Sequence, residues 1–295
     1  MADLDALLAF ASRSWMARAP LLANWRPGDV VWELKGVLDQ PQPIRLWGGA
    51  SDLTAVAWFV GASELWVETL TGDEAVLADC VAWGEAVVGR GPGAKGPRLS
   101  VRSFARDGQR IAGLERLGYR RSGPEAVQFQ MNLDRTVPSP TGPHGFRVRD
   151  SVGVDPAARA RAHRDAWNDL AHIGLPQARS SFGETDYLAL RASPVYDPSL
   201  DILVEAADGA FVANCICWSD EPSGVGVFEP VGTSPAYRGQ RLAGMAIAEG
   251  LGRLQRRGMT MARVGTAHFN TSALAAYRAC GFEEADRTFW WTKSL

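Results

Sequence analysis

The chain has 295 residues, of which 46% are hydrophobic and 22% are charged, and its formal net charge is -2. This length predicts two domains that can each bury a core, and the composition is typical of a globular protein in water. The weak net charge gives no reason to expect a nucleic acid or a strongly anionic membrane as a partner.

The N-terminus and the cysteines bear on the compartment. The first six residues are acidic and lack the basic region of a secretory signal, and no apolar run is long enough to span a bilayer. Cys215 and Cys217 would share one face of a strand, but no second such pair and no nearby histidine pair accompanies them. Together with Cys80 and Cys280 they are expected to be buried, reduced thiols rather than metal ligands. We therefore expect a cytoplasmic protein without a metal ion and without a membrane partner.

The first half of the chain alternates between helical and extended patterns. Apolar residues at helical spacing predict helices over 1–19, 73–88 and 107–117. Runs rich in β-branched and aromatic residues predict strands over 30–34, 44–47, 54–60, 64–69, 99–104 and 127–133. A glycine-rich and proline-rich loop is expected over 89–97.

A segment with three prolines and little apolar content, 134–145, is typical of a linker. It predicts a first domain over 1–135, a linker over 136–145 and a second domain over 146–295. The second domain begins with a strand at Phe146 and continues with helices over 156–167 and 186–192. Strands over 200–206 and 211–218 should form a hairpin around the turn Asp208-Gly209.

The stretch 225–257 organises the second domain as strand, basic loop and amphipathic helix. The strand ends at Ser234-Pro235, and the helix begins near Leu242 and ends at Gly258. The first turn of a helix has backbone N–H groups without partners at the positive end of its dipole, so this loop is suited to bind a diphosphate. It is neither a Walker loop nor a Rossmann fingerprint. A strand over 261–266, a helix over 271–279 and a strand over 288–293 follow.

Two ordered motifs in this half resemble a known family. Arg238-Gly-Gln-Arg-Leu-Ala243 is similar to the Arg/Gln-x-x-Gly-x-Gly/Ala loop of the GNAT superfamily of N-acetyltransferases, with Arg241 in place of the central glycine. The stretch that runs from Asn270 through Ala273 and Tyr277 to Gly281-Phe282 resembles the family pattern Asn-x-x-Ala-x-x-x-Tyr-x-x-x-Gly-Phe.

This resemblance implies a fold class of α/β or α+β type. We expect two tandem GNAT-like domains, each with a mixed, mostly antiparallel sheet flanked by helices. The first half repeats the second weakly, as in Leu117-Gly118-Tyr119. Its helix near residue 73 opens with Asp73 and Glu74, which would satisfy the helix dipole and repel a diphosphate. The first domain is thus interpreted as a degenerate copy that binds no CoA; the alternative is an unrelated α/β domain.

The resemblance also implies acetyl-CoA as co-substrate and a set of residues that bind it. Backbone groups of Val231 and Thr233 would pair with the pantetheine arm, and Gly232 would permit close approach or mark only a bulge. Asn270 would contact the arm, or cap the helix at Thr271. The remaining cofactor residues lie in the loop and the first helical turn: Arg238, Gly239, Gln240, Arg241, Leu242, Ala243 and Gly244. Arg241 would either point into water or reach a CoA phosphate.

Tyr277 and Glu229 are the leading candidates for the chemistry. Tyr277 matches the family tyrosine that protonates the leaving thiolate, and the alternative is a packing role. Glu229, just before the loop strand ends, is the candidate general base, and Glu229-Pro230 should also introduce a bulge. His268 ranks below it because loop histidines are more often solvated, and His163 and His172 are weaker still. Trp167 and Trp218 are candidates for lining an acceptor pocket.

We therefore predict an N-acetyltransferase that acts on a primary amine of a small-molecule acceptor, by direct attack in a ternary complex. The alternatives are a CoA-sensing or partner-binding module without catalysis, and acetylation of a protein or peptide. The sequence carries no signal for the acceptor's identity or for the oligomeric state.

Overall fold

A computed structural model describes residues 2–18, 23–34, 43–49, 51–89 and 96–295. The contacts divide the chain into two compact units. The first unit comprises Met1–Val30, Val37–Val127 and Ala285–Leu295, and the second comprises Val31–Gly36 and Gln128–Glu284. Because the end of the chain belongs to the first unit, the units are not two consecutive segments. The domain limits at 135 and 146 stay a prediction.

The first unit contains a mixed sheet with helices. Its helices are α1 (Ala2–Ala17), the start of α2 (Pro27–Leu34), α3 (Glu74–Gly89) and α4 (Gly108–Arg116). Its strands are β1 (Ile44–Trp47), β2 (Ala55–Phe59), β3 (Glu64–Thr69), β4 (Arg98–Phe104), the first part of β5 (Arg120–Asn132) and most of β11 (Glu283–Ser294). In the order β1-β2-β3-β4-β11, only the pair β3–β4 is parallel.

One predicted element is wrong. Residues 30–34, predicted as a strand, lie in α2. Pro27 occupies the first helical position, where its fixed φ suits a helix start, and the Asp29 carboxylate accepts the Arg26 backbone N–H at 2.8 Å. Val30 and Val31 are buried in this helix. Packing has therefore overridden the strand preference of the β-branched pair.

The second unit carries the remaining elements. Its helices are α5 (Pro156–Trp167), α6 (Glu184–Arg191), α7 (Leu242–Arg256) and α8 (Thr271–Ala279). Its strands are β6 (Phe146–Asp150), β7 (Asp201–Ala206), β8 (Phe211–Asp220), β9 (Val225–Thr233), β10 (Met261–Ala267) and the end of β5. In the order β10-β9-β8-β7-β6, only the pair β9–β10 is parallel. The strand pairing within each unit is thus mixed and mostly antiparallel, which confirms the predicted fold class.

Helix α7 lies close against the sheet of the second unit because small residues face it. A Cβ added at Gly250 would lie 2.5 Å from Cys217 Sγ and 2.6 Å from Phe228 Cε1. Leu251 and Leu254 are fully buried on the same helix. This packing fixes where α7 begins relative to the end of β9.

A buried ion pair attaches α5 to the other side of this sheet. Arg159 Nε donates to both carboxylate oxygens of Asp201, at 2.9 and 2.8 Å, and both side chains are at most 1% exposed. The hydroxyl of Tyr196 donates to the same carboxylate at 2.7 Å. Because neither charge reaches water, each depends on the other for compensation.

No helix in the described part of the chain is long and apolar enough to cross a membrane.

Replacement of Arg159 by Met should destabilise the protein strongly, because it leaves the Asp201 carboxylate buried without its cation. We expect a loss of about 3–5 kcal/mol in the free energy of unfolding, measured by urea denaturation. Arg147→Met is the matched control, since Arg147 pairs with Glu205 on neighbouring strands but is 70% exposed. That variant should lose less than about 1 kcal/mol. Equal losses in the two variants would show that burial does not set the strength of the Arg159 pair.

Candidate functional site

The site begins where two parallel strands separate. The pairing of β9 with β10 runs from Val225↔Met261 to Phe228↔Val264 and ends there. Strand β9 continues to Thr233, still paired with β8 on its other side. The last five residues of β9 therefore have an edge that β10 does not cover.

A bulge lies at the point of separation. Cys217 pairs with Phe228, whereas Cys215 pairs with Val231, so a single β8 residue stands opposite Glu229 and Pro230. This confirms the bulge predicted at Glu229-Pro230. The Trp218 indole N–H donates to the Glu229 carbonyl at 2.6 Å and holds the bulge against β8.

The open edge of β9 presents backbone groups to the gap between the separated ends of β9 and β10. Successive residues of a strand direct their N–H and C=O groups to opposite sides. Ser234 N–H donates to Val212 O at 2.9 Å on the β8 side, so the groups of Val231 and Thr233 face away from β8. The Thr233 carbonyl accepts from Arg238 Nε at 3.2 Å. The Val231 groups and the Thr233 N–H remain directed toward the gap.

The loop 238–244, called the phosphate loop below, leads from this edge into α7. Two of its residues have left-handed backbone conformations, Gly239 with φ 77° and Arg241 with φ 62°. Arg241 is the N-cap of α7 and makes no side-chain capping bond, and Met245 N–H is bonded to its carbonyl at 3.2 Å. The N–H groups of Leu242, Ala243 and Gly244 form the first turn, which has no partner within the helix. Gln240 and Arg241 are exposed.

The side chain of Arg238 is engaged by the protein itself. Besides Thr233 O, it donates to Ala166 O at 3.1 Å, and its Nη1 lies 3.1 Å from His172 Nδ1. Because a guanidinium can only donate, His172 Nδ1 must be the acceptor here. Burial and the Arg238 charge lower the pKa of His172, which favours this neutral form. Arg238 thus ties the phosphate loop to the end of α5.

Tyr277 and Glu229 lie near each other in the same unit. Tyr277 is 5% exposed and packs edge-on against Phe129, with ring centroids 5.8 Å apart. Burial, followed by the neighbouring Glu229 charge, raises the pKa of Tyr277 well above its ordinary value. The phenol is therefore protonated at neutral pH, the state that a proton donor needs. Glu229 is half-buried beside the open edge.

Asn270 and His268 lie just before α8. The Asn270 side chain accepts from Ala273 N–H at 3.2 Å, so it caps α8, as the sequence allowed. Its amide N–H groups are not used in that bond. His268 is exposed and its ring stands at right angles to that of Phe269, with centroids 5.2 Å apart.

An aromatic cluster covers the α5 side of β9. His163 stacks on Trp167, with ring centroids 4.3 Å apart and an interplanar angle of 18°. Trp32 and Phe182 pack against His163 in T-shaped geometry, with ring centroids 5.3 and 4.7 Å from that of His163. The sequence indicated Trp167 as a candidate for lining an acceptor pocket and His163 as a weak candidate for the chemistry. It gave no signal for Trp32, which lies in α2, far from both in sequence.

The phosphate loop and the open edge of β9 have the space and the backbone groups that a ligand such as CoA requires for its pyrophosphate and pantetheine arm. The first-turn N–H groups of α7 carry no side-chain cap. Apart from Gly239 and its two chain neighbours, no described residue has an atom within 4 Å of the position that a Cβ of Gly239 would take. The open edge at Val231 and Thr233 supplies further backbone partners. A diphosphate at a helix N-terminus needs this combination of space and unpaired N–H groups.

In the first unit, side chains occupy the positions that correspond to the open strand edge and the uncapped helix start. There β3 and β4 are paired only at Glu64↔Ser100 and Leu65↔Val101. Beyond that point Val67 O accepts from Asn24 Nδ2, at 2.7 Å, and from Arg110 Nη1. The Asp73 carboxylate caps α3 by accepting Ala75 N–H at 2.8 Å. Side chains of the unit thus occupy both the strand gap and the helix start.

Residues 167–282 match the model of the acetyltransferase (GNAT) family. Over these residues the chain is similar to the GNAT acetyltransferases. The match includes β9, the phosphate loop and the Asn270–Tyr277 motif, and so confirms the resemblance drawn from the sequence.

Similar proteins were found by comparing both the sequence and the structure of the chain. A curated relative, a mycothiol acetyltransferase from Sanguibacter keddieii, is 32% identical over 144 residues, which are 44% of this chain and 45% of that protein. This chain therefore matches less than half the length of that relative. Two solved structures match nearly the whole chain with a TM-score of 0.63. One is a GCN5-related N-acetyltransferase from Sphaerobacter thermophilus, 22% identical, with 99% of this chain and 92% of that chain covered. The other is a tandem GNAT protein from the clavulanic acid biosynthesis pathway, 15% identical, with 99% and 94% covered. At these identities the structures support the tandem GNAT fold alone.

Replacement of Arg241 by Gly should stabilise the protein. The left-handed conformation destabilises the folded state by roughly 1–2 kcal/mol for an L-residue, and glycine removes this strain. Part of the gain is lost because glycine also gives the unfolded chain more conformational freedom. We expect a gain of about 1 kcal/mol in the free energy of unfolding, measured by urea denaturation. Arg241→Ala removes the same charge but keeps a Cβ at φ 62°, so it should show no gain. If both variants gain equally, charge rather than backbone conformation is the cause.

Proposed function

We propose that the protein is an acetyl-CoA-dependent N-acetyltransferase whose second unit carries out the reaction in a ternary complex. The observation that carries this proposal is the uncapped start of α7, placed beside the open edge of β9. The family match over 167–282 supports it.

The phosphate loop would bind the donor. The N–H groups of Leu242, Ala243 and Gly244 would hold the pyrophosphate, with Gly239 and Gln240 lining its approach. Val231 and Thr233 would pair with the pantetheine arm along β9, and Asn270 would contact it through its free amide N–H groups. Arg238 would act by fixing the loop, because its guanidinium already bonds to Thr233 and Ala166. The exposed Arg241 has room to point into water or to reach a phosphate.

Acetyl-CoA, when bound, supplies a thioester whose carbonyl carbon an amine attacks. Glu229 would accept a proton from the incoming ammonium, directly or through water, because only the neutral amine is a nucleophile. Tyr277 would donate its hydroxyl proton to the departing sulfur. Burial and the Glu229 charge keep that phenol protonated until the proton is needed.

The first unit is proposed to be a degenerate copy that binds no CoA. Its helix α3 is capped by Asp73, and Arg110 and Asn24 occupy the carbonyl of Val67 in the strand gap. A diphosphate at α3 would have to displace a carboxylate that already accepts the Ala75 N–H. We therefore expect a single CoA site in the chain.

A small-molecule amine is the proposed acceptor. The name of the curated relative supports this class over a protein acceptor, although the match covers less than half of that protein. A CoA-sensing module remains the second candidate, because Arg241 replaces a glycine in the family loop. The two differ in one respect: a sensor binds acetyl-CoA and transfers nothing.

Titration calorimetry with acetyl-CoA should show one binding site for each chain, because among the helices that the structure describes only α7 has an uncapped start beside an open strand. Release of free CoA thiol should then follow when a panel of small primary amines is added, and should be slower with peptides. The control is Gly239→Val, which places a branched side chain at φ 77° and should weaken binding at least about tenfold. Absence of binding would contradict the enzyme and the sensor alike, and binding without thiol release from any amine would favour the sensor.

Tyr277→Phe should lower kcat by about 100-fold or more and leave the Kd of acetyl-CoA nearly unchanged, because only the proton donor is removed. Steady-state kinetics and calorimetry measure the two quantities. Tyr119→Phe is the matched control, since Tyr119 is an equally buried tyrosine in the first unit. Its kcat should not change. Wild-type turnover by the Tyr277 variant would remove the proposed acid role.

A further inference from the structure

The side chain of Trp167 stands directly on the strand that would carry the thioester. A Cβ added at Gly232 would lie 2.1 Å from Trp167 Cζ3, 2.5 Å from Trp167 Cη2 and 2.8 Å from Ala166 Cβ. Gly232 lies between Val231 and Thr233, whose backbone groups face the gap. Trp167 therefore closes the α5 side of β9 beside this open edge.

The indole is held in this position from several directions. One face stacks on His163, with ring centroids 4.3 Å apart, and His163 in turn packs against Trp32 and Phe182. The backbone at the end of α5 is fixed by the bond from Arg238 Nη2 to Ala166 O at 3.1 Å. A ring packed in this way cannot turn aside without breaking contacts of buried aromatic groups.

The other side of the sheet is closed by different rings. Tyr277 is buried there, with Phe129 at 5.8 Å and Phe282 at 6.3 Å between ring centroids. An acyl chain at the open edge of β9 would meet Tyr277 on this side and Trp167 on the other. Aromatic side chains therefore flank this part of β9 on both faces of the sheet.

We propose that Trp167 is a specificity-determining residue that restricts the donor to short acyl groups such as acetyl. This inference rests on the proposed function, because it assumes that β9 carries the acyl thioester. Of the two side chains, Trp167 and Tyr277, only Trp167 can be replaced without removing the proposed proton donor. A smaller residue at 167 opens the space above Gly232 to a longer chain.

The test compares the binding of acetyl-CoA and hexanoyl-CoA by calorimetry. The wild-type chain should bind hexanoyl-CoA at least about tenfold more weakly than acetyl-CoA, because the extra methylenes have no room. In Trp167→Ala the ratio of the two affinities should shift toward hexanoyl-CoA by at least about tenfold. Trp167→Leu, which keeps more of the packing, should shift the ratio in the same direction by a smaller factor. Thermal melts report whether each variant is folded.

Two controls separate this role from a general loss of packing. Phe182→Leu disturbs the same aromatic cluster, but Phe182 is not among the nearest atoms to Gly232, so the ratio should not move. Adding Gly232→Ala to Trp167→Ala places a methyl group in the vacated space, and should return part of the selectivity.

The outcomes distinguish this inference from the proposed function. An unchanged affinity ratio in folded Trp167→Ala and Trp167→Leu overturns the role of Trp167 and leaves the acetyltransferase proposal standing. A shifted ratio without transfer to any amine supports the role of Trp167 and contradicts the enzyme. Failure of the wild-type chain to bind either thioester overturns both.

Discussion

The separation of β9 from β10 is the constraint on which the candidate site depends. While the strands are paired, from Val225 to Phe228, every backbone group between them is used in the sheet. After the bulge at Glu229-Pro230, β9 keeps its bonds to β8 alone. The exposed edge then carries N–H and C=O groups that require partners, and α7 begins only a short loop later. A ligand that reaches both features must be long and must bear an anionic group at one end.

The first unit shows that this topology alone does not make a binding site. Its parallel pair β3–β4 also separates early, and a helix also follows β3. The difference lies in which atoms satisfy the released groups. Asn24 and Arg110 bond to Val67 O, and Asp73 caps α3, so the backbone groups are paired internally. In the second unit the corresponding helix start has no side-chain cap.

Local patterns in the sequence predicted most elements, because their causes are local. Helices α5 and α8 match the predicted limits, and the turn at Asp208-Gly209 needs only the glycine's positive φ of 86°. The strand predicted over 30–34 is wrong because burial in α2 outweighed the strand preference of two valines. The bond of Arg238 to Ala166, and the position of Trp32 beside His163, join residues far apart in sequence. No local pattern encodes such contacts.

The physical signature of the candidate site is that it does not stabilise the fold. Arg241 holds a left-handed conformation that costs roughly 1–2 kcal/mol, and the helix that it starts lacks the side-chain cap that is commonly worth about 1 kcal/mol. An aspartate at that cap position would remove the second cost, as Asp73 does for α3. It would also place a carboxylate where a diphosphate would bind. Two avoidable costs at one loop are therefore better explained by binding than by folding.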